Sequence, residues 1–155
     1  MAYWLFKTEP QTFSIEDLAS RTEQTEPWDG IRNYQARNLL RDQVRLGDLV
    51  FIYHSSCPEP GIVGIAKVVR EAYPDATQFN PQSRYFDPKS EPQQPRWVQV
   101  DVKLTEMFAQ TVSLKRIKAE TRLQDMILVK KGSRLSIQPV TDAQWQILLS
   151  MAKRK

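Results

Sequence analysis

Leu49-Val50-Phe51-Ile52-Tyr53 is an unbroken apolar run that follows a Gly47-Asp48 turn signal. Side chains of a strand point alternately to its two faces, so a run without polar alternation needs cover on both sides. That requirement predicts a strand buried inside a sheet, with packing above and below it. Ile62 to Val69 is a second β-rich run, holed by Gly61 and Gly64, where a missing side chain permits a bulge or a close backbone approach. The two runs are predicted to pair as a hairpin.

The rest of the chain supplies the cover. Tyr3 to Lys7 reads as an opening strand. Ser14 with Asp17 three residues later makes a capping-box start, flanked by Phe13 and Leu18 at staple positions, and predicts a helix over 15–20. After the Pro27-Trp28-Asp29-Gly30 turn, Asn33 can cap a second helix in which Ala36, Leu39, Leu40 and Val44 share one face and Arg37, Arg41 and Arg45 another. From Tyr73 to Pro95 the chain carries five of its ten prolines among Tyr73, Phe79, Tyr85 and Phe86, and aromatic rings in a loop need something to pack on, so this is an ordered loop rather than a linker. Val98, Val100, Val102 and Leu104 then alternate with Trp97, Gln99, Asp101 and Lys103 as a half-polar strand. Ser113 opens a short basic helix, and Thr141 with Gln144 forms a second capping box, with Val140 and Trp145 as its staple. Strands and helices are interspersed without a βαβ rhythm or an internal repeat, which predicts an α+β fold: a small mixed sheet or barrel flanked by helices. At 155 residues, a single domain over 1–155 is expected.

Composition removes several function classes. No apolar run approaches the roughly 20 residues that span a bilayer. Lys7, Glu9 and Pro10 interrupt the start where a secretory signal would stay apolar. The single cysteine, Cys57, cannot form an internal disulfide, so a reducing compartment is expected, cytoplasmic in a bacterium or nuclear in a eukaryote. One histidine and one cysteine cannot assemble the usual zinc site, and Lys131-Gly132-Ser133 lacks the earlier glycine of a phosphate loop. No metal and no cofactor are expected.

The net charge of +4 is mostly terminal, since Lys153, Arg154 and Lys155 supply three of the four excess positive charges. Residues 115–134 nonetheless carry Lys115, Arg116, Lys118, Arg122, Lys130, Lys131 and Arg134 against only Glu120 and Asp125. This stretch reads either as a phosphate footprint or as a solvated helix face. His54 beside Ser55, Ser56 and Cys57 reads either as a nucleophile with its base or as a structural cluster, and neighbours on a strand point to opposite faces, which favours the second. Trp4 and Trp145 are expected in the core. Trp28 sits in a turn among charges and Trp97 on the polar face of a strand, where a large ring either stacks on an unpaired base or packs on a loop.

Six separated blocks carry a resemblance. They are Tyr3-Trp4-Leu5-Phe6-Lys7-Thr8-Glu9-Pro10, Trp28-Asp29-Gly30-Ile31-Arg32-Asn33-Tyr34-Gln35-Ala36-Arg37-Asn38, Tyr53-His54-Ser55-Ser56-Cys57 with Pro60-Gly61-Ile62, Ala72-Tyr73-Pro74-Asp75, Pro95-Arg96-Trp97 and Arg134-Leu135-Ser136-Ile137-Gln138-Pro139. In this order they resemble the EVE domain family from end to end. The resemblance implies a PUA-like fold, a small β-barrel with peripheral helices, related to the YTH domains that hold a methylated adenine in an aromatic cage. It further implies a non-catalytic base-binding pocket for a nucleic acid carrying a modified base, a modified cytosine in DNA, with DNA and RNA both left open by the residues themselves.

Carried over by position, the resemblance implies a pocket walled by Trp28 and floored by Lys7 and Thr8, with Asn33, Tyr34 and Ser55 as polar edges. His54, Trp97 and Arg134 match family blocks without an individual role. Asn33 carries two readings, helix cap and base contact, which one side chain does not satisfy together. The rival functions are an enzyme acting on a nucleobase or small molecule through Cys57, His54 or Glu9, and a module that binds protein through the proline-rich loop.

Overall fold

The computed structural model describes residues 1–131 and 134–153. The apolar run forms strand β3 (Leu49–His54), seated between β1 (Tyr3–Thr8), which runs parallel to it, and β4 (Gly61–Pro74), which runs antiparallel. With β2 (Thr25–Pro27), β5 (Val98–Ser113) and β6 (Ile137–Val140) these make a six-stranded mixed sheet in the order β2-β5-β4-β3-β1-β6. Its four α-helices, among the described residues, are α1 (Ile15–Ser20), α2 (Tyr34–Asp42), α3 (Leu114–Ala119) and α4 (Asp142–Ala152).

Alternation along β1 and β3 divides the core into two. Trp4, Phe6, Val50 and Ile52 face one side, where Ile15 and Leu18 of α1 and Ala36 and Leu40 of α2 cover them. Leu5, Phe51 and Tyr53 face the other, under Ile117 of α3 and Trp145, Leu148 and Met151 of α4. Each fully buried Leu, Ile or Phe in these layers contributes about 1.5–3 kcal/mol. Trp145 lies between Phe51 and Tyr3, with ring centroids 3.8 and 4.5 Å away, and the Trp4 indole N–H donates to the buried Asp48 carboxylate at 2.9 Å. Both tryptophans are core, as expected.

The sheet is not closed. Its order ends at β2 and β6, so the mixed α+β sheet with flanking helices is present and closure into a barrel is not. Both end strands are short and carry a proline, Pro27 in β2 and Pro139 in β6, which lacks the N–H that a further ladder would use.

The helix starts follow the local chemistry. Ser14 and Asp17 form the capping box of α1, Asn33 accepts the Ala36 N–H, Ser113 accepts the Arg116 N–H, and Thr141 with Gln144 caps α4. The β3–β4 hairpin is present, and its second strand continues well beyond Val69 into a long bulged ladder with β5. Gly64 sits at one of these irregularities, where an added Cβ would strike the Ile15 side chain and the Glu106 carbonyl. The proline-rich loop is ordered around buried Gln78. Its amide donates to the carbonyls of Asp75 at 2.7 Å and Trp97 at 2.9 Å, and its Oε1 accepts from the Ser90 hydroxyl at 2.6 Å and the Trp97 N–H at 3.1 Å. A loop that satisfies its own buried polar groups holds a fixed course.

Candidate nucleic-acid interface

Parallel β1 and β3 end side by side at Thr8 and His54, and the chain leaves both in tight turns. The Thr8 hydroxyl donates to the Phe13 carbonyl at 2.7 Å, the Ser55 N–H donates to the Thr8 carbonyl at 2.9 Å, and Ser56 takes the left-handed region at φ 55°. Beside this end opens a cleft of about 730 Å³ whose lining includes Thr8, Phe13, Trp28, Asp29, Ser55 and Tyr85. That volume falls within the roughly 300–1,000 Å³ of small-ligand sites.

The wall from Pro27 to Ile31 is held from two sides. The Trp28 N–H donates to the Val100 carbonyl at 2.7 Å, extending the β2–β5 ladder by one residue. Gly30 adopts φ 78°, and an added Cβ there would sit 2.6 Å from the Tyr85 ring, so the backbone passes directly against that ring. The Gly30 N–H donates to Asp75 Oδ2 at 2.9 Å. Arg32 closes the arrangement: Nε and Nη2 donate to the Tyr85 carbonyl at 3.0 and 2.8 Å, and Nη1 pairs with Asp75 at 3.1 Å. Burial alone would raise the Asp75 carboxyl, but hydrogen bonds from Thr77 and Gly30 and the charge of Arg32 outweigh it and hold the group below its ordinary value.

Asp29, one residue along, behaves oppositely. Burial, then the nearby charges of Asp75 and Glu26, push its carboxyl above the ordinary value. A carboxyl raised by desolvation in a cleft is a mark of a binding or reactive site. Glu26 and Arg21 pair at 3.3 Å on the rim, and Arg84 and Arg134 bring further positive charge to the lining.

Of the residues expected at the pocket, Lys7, Thr8, Trp28, Ser55 and Arg134 line this cleft, and Asn33, Tyr34, His54 and Trp97 do not. Trp28 is not the lightly packed surface ring that its turn sequence suggests: only 6% of it is exposed, and it packs on Phe6 and Phe13 at 5.7 and 5.9 Å. Turn position predicts exposure only when nothing distant folds over the turn, and here β1 and the Thr8–Phe13 segment do. Asn33 Oδ1 is committed to the Ala36 N–H at 2.9 Å. His54 Nε2 accepts the Ile15 N–H at 3.1 Å and so satisfies a donor at the start of α1, while burial lowers its pKa. Trp97 is buried at 5% exposure rather than displayed on a polar face; its indole donates to Asp87 at 2.8 Å and its ring meets Tyr34 at 4.8 Å. Tyr34 covers that ring from outside and is itself 51% exposed.

Phe13, Asp29 and Tyr85 were not among the expected pocket residues. The aromatics of the proline-rich loop were the one available signal for Tyr85, because such rings had to pack somewhere. Of the expected basic stretch, Gly132 and Ser133 lie outside the described residues, as do Arg154 and Lys155 of the tail. Among the described residues, no group of three or more His, Cys, Asp or Glu is placed to hold a metal ion, and no helix is long and apolar enough to cross a membrane. The Cys57 thiol lies 3.8 Å from the His54 carbonyl oxygen, and the acceptor nitrogen of the His54 ring is taken by α1.

The fold recurs in known proteins. Human thymocyte nuclear protein 1 is 41% identical over 171 residues, covering 99% of this chain and 75% of that protein. A Pseudomonas putida protein of known structure superposes with a TM-score of 0.93 at 48% identity, covering 97% of this chain and 99% of that one. Human THYN1 protein, solved in complex with DNA containing 5-methylcytosine, superposes with a TM-score of 0.95 at 41% identity, covering 100% of this chain and 99% of that one. A family model described as the EVE domain matches residues 2–151, and with these relatives it establishes that the chain belongs to the EVE domain family.

Proposed function

We propose that this domain is a non-catalytic reader that takes a 5-methylcytosine, turned out of a DNA strand, into the cleft beside Trp28. The observation that carries the reading is the likeness, along the whole of this chain, to human THYN1 protein, which was solved with DNA containing that base. The cleft supplies a chemical rationale. An extruded base needs a ring face to stack on and polar groups at its edge. Trp28, Phe13 and Tyr85 provide rings, and the Asp29 carboxylate provides an acceptor suited to the exocyclic amine of cytosine. Arg84, Arg134 and Lys7 place positive charge where phosphates of the same strand would pass.

The non-catalytic part of the reading is supported by the cluster at the end of β3. Nucleophilic catalysis needs a base aimed at the nucleophile, and His54 turns its acceptor nitrogen to α1 instead. Base extrusion is tested with 2-aminopurine placed next to 5-methylcytosine in a duplex. Unstacking raises the fluorescence of the probe on binding; binding without a rise would mean that the duplex is held with the base in place. Intact-mass analysis of the DNA after incubation tests catalysis, with no change expected.

A further inference from the structure

The cleft beside Trp28 opens on the face of the sheet covered by α1 and α2, and a second depression of about 650 Å³ opens on the other face. Of its apolar lining, Tyr53 and Leu128 belong to the core layer under α3 and α4, and Leu114 and Val129 pack against that layer. Lys7, Lys118, Lys130 and Lys131 also line it, and among the described residues no carboxylate does. Lys118 comes from α3 and is exposed, like Lys130 and Lys131, which follow the short turn Ile127–Val129. Gln124, which also lines the depression, is fastened to the end of α3, its amide donating to the carbonyls of Lys118 at 3.1 Å and Glu120 at 2.9 Å. Among the described residues, every ion pair is made by an arginine, so none of these lysines is paired to a carboxylate.

Lys7 lines both depressions. It stands at the end of β1, half-buried, with its ammonium 5.8 Å from the centre of the Tyr53 ring. Burial lowers its pKa and pushes the Tyr53 hydroxyl up to about 12, so the phenol stays neutral beside it. A half-buried cation with three further unpaired cations around one concavity is a poor arrangement by itself, and an entering anion relieves it.

We propose that this lysine-lined depression is a phosphate site that holds the phosphodiester backbone flanking the base bound beside Trp28, with Lys7 at the junction of the two. It rests on the reading of the first cleft as the base site, and it adds sequence-independent affinity from the other face of the sheet to the phosphate contacts of Arg84 and Arg134.

The test compares the triple variant Lys118→Ala/Lys130→Ala/Lys131→Ala with a control triple of exposed lysines elsewhere, Lys67→Ala/Lys89→Ala/Lys103→Ala. Each lysine that contacts a phosphate contributes about 0.7–0.9 to the slope of log affinity against log salt. The depression triple is therefore expected to lower that slope by about 2 and to weaken methylated and plain DNA by the same factor, keeping their ratio. The control triple is expected to leave the slope nearly unchanged. An unchanged slope in the depression triple, or an equal loss in the control, overturns the proposal. A second arm titrates inorganic pyrophosphate into the 15N-labelled wild-type protein without DNA, with shifts expected at the amides of Lys118, Gln124 and Lys130. Pyrophosphate binding together with an unchanged DNA slope would assign the site to a free phosphorylated ligand and overturn the backbone assignment. Loss of slope in a protein that shows no methyl preference would sustain this site while refuting the base-reading cleft.

Discussion

Asp75 Oδ2 accepts the Gly30 N–H at 2.9 Å and thereby ties the wall of the Trp28 cleft to a loop 45 residues further along the chain. The same carboxylate, with no exposed side-chain surface, also takes the Arg32 guanidinium, and its other oxygen takes the Thr77 N–H. One buried group thus sets where the wall stands relative to Tyr85.

Removing it should be costly. Asp75→Ala leaves Arg32 and the Gly30 N–H without their partner, and breaking a buried pair from one side costs about 3–5 kcal/mol. Urea unfolding checks this. The pH dependence follows from the depressed carboxyl: its stabilisation is present above the ordinary value of 3.8 and is lost as pH falls through the lower folded value. Asp75→Asn should therefore be less stable than wild type at pH 7, with the gap closing in acid.

Trp28→Ala should lose both stability and binding. The ring is a core element packed on Phe6 and Phe13, so truncation is expected to cost about 3–5 kcal/mol. Trp28→Phe keeps an aromatic ring and should retain most of the stability. Thermal unfolding measures one effect and fluorescence polarisation with 5-methylcytosine DNA the other. A folded Trp28→Phe protein should bind within roughly tenfold of wild type if stacking supplies about 1–3 kcal/mol.

Asp29→Asn separates stability from recognition. Because burial raises the folded carboxyl above its unfolded value, the protonated form favours folding, and that contribution disappears as pH rises through the raised value. A neutral amide removes this cost, so Tm at pH 7 should rise and the difference should vanish at low pH. Charge-assisted hydrogen bonds are roughly twice as strong as neutral ones, so affinity for the methylated strand should fall about tenfold. Wild-type affinity should also weaken in acid as the Asp29 carboxylate is neutralised.

Asn33→Ala distinguishes a cap from a base contact. Loss of the bond to the Ala36 N–H should cost about 1 kcal/mol of stability. Affinity in the folded variant should stay within about threefold, which is below 1 kcal/mol.

Whatever depended on neighbouring residues was legible in the sequence. The capping boxes at Ser14 and Thr141, the Asn33 cap and the doubly covered β3 each need only a few consecutive residues to specify them. The exposure of Trp28 and Trp97 was not legible, because it is decided by Phe6, Phe13, Tyr34 and Asp87, brought in by the fold. The place of Tyr85 against Gly30 depends on the loop course set by Gln78, and nothing local to either residue encodes it. The open sheet was likewise hidden, since Pro27 and Pro139 reveal their meaning only once both strands are seen at the edges.

Methyl-sensitive binding in the Trp28 cleft is read most directly by a polarisation titration of one oligonucleotide with and without a single 5-methyl group on cytosine. One methyl in an apolar surrounding is worth about 1–3 kcal/mol, so a preference of roughly tenfold to two-hundredfold is expected. It should persist as salt is raised, because pocket contacts release no counterions. Equal affinities for the two strands, or a preference that vanishes at high salt while both still bind, would mean that the Trp28 cleft does not read the methyl group.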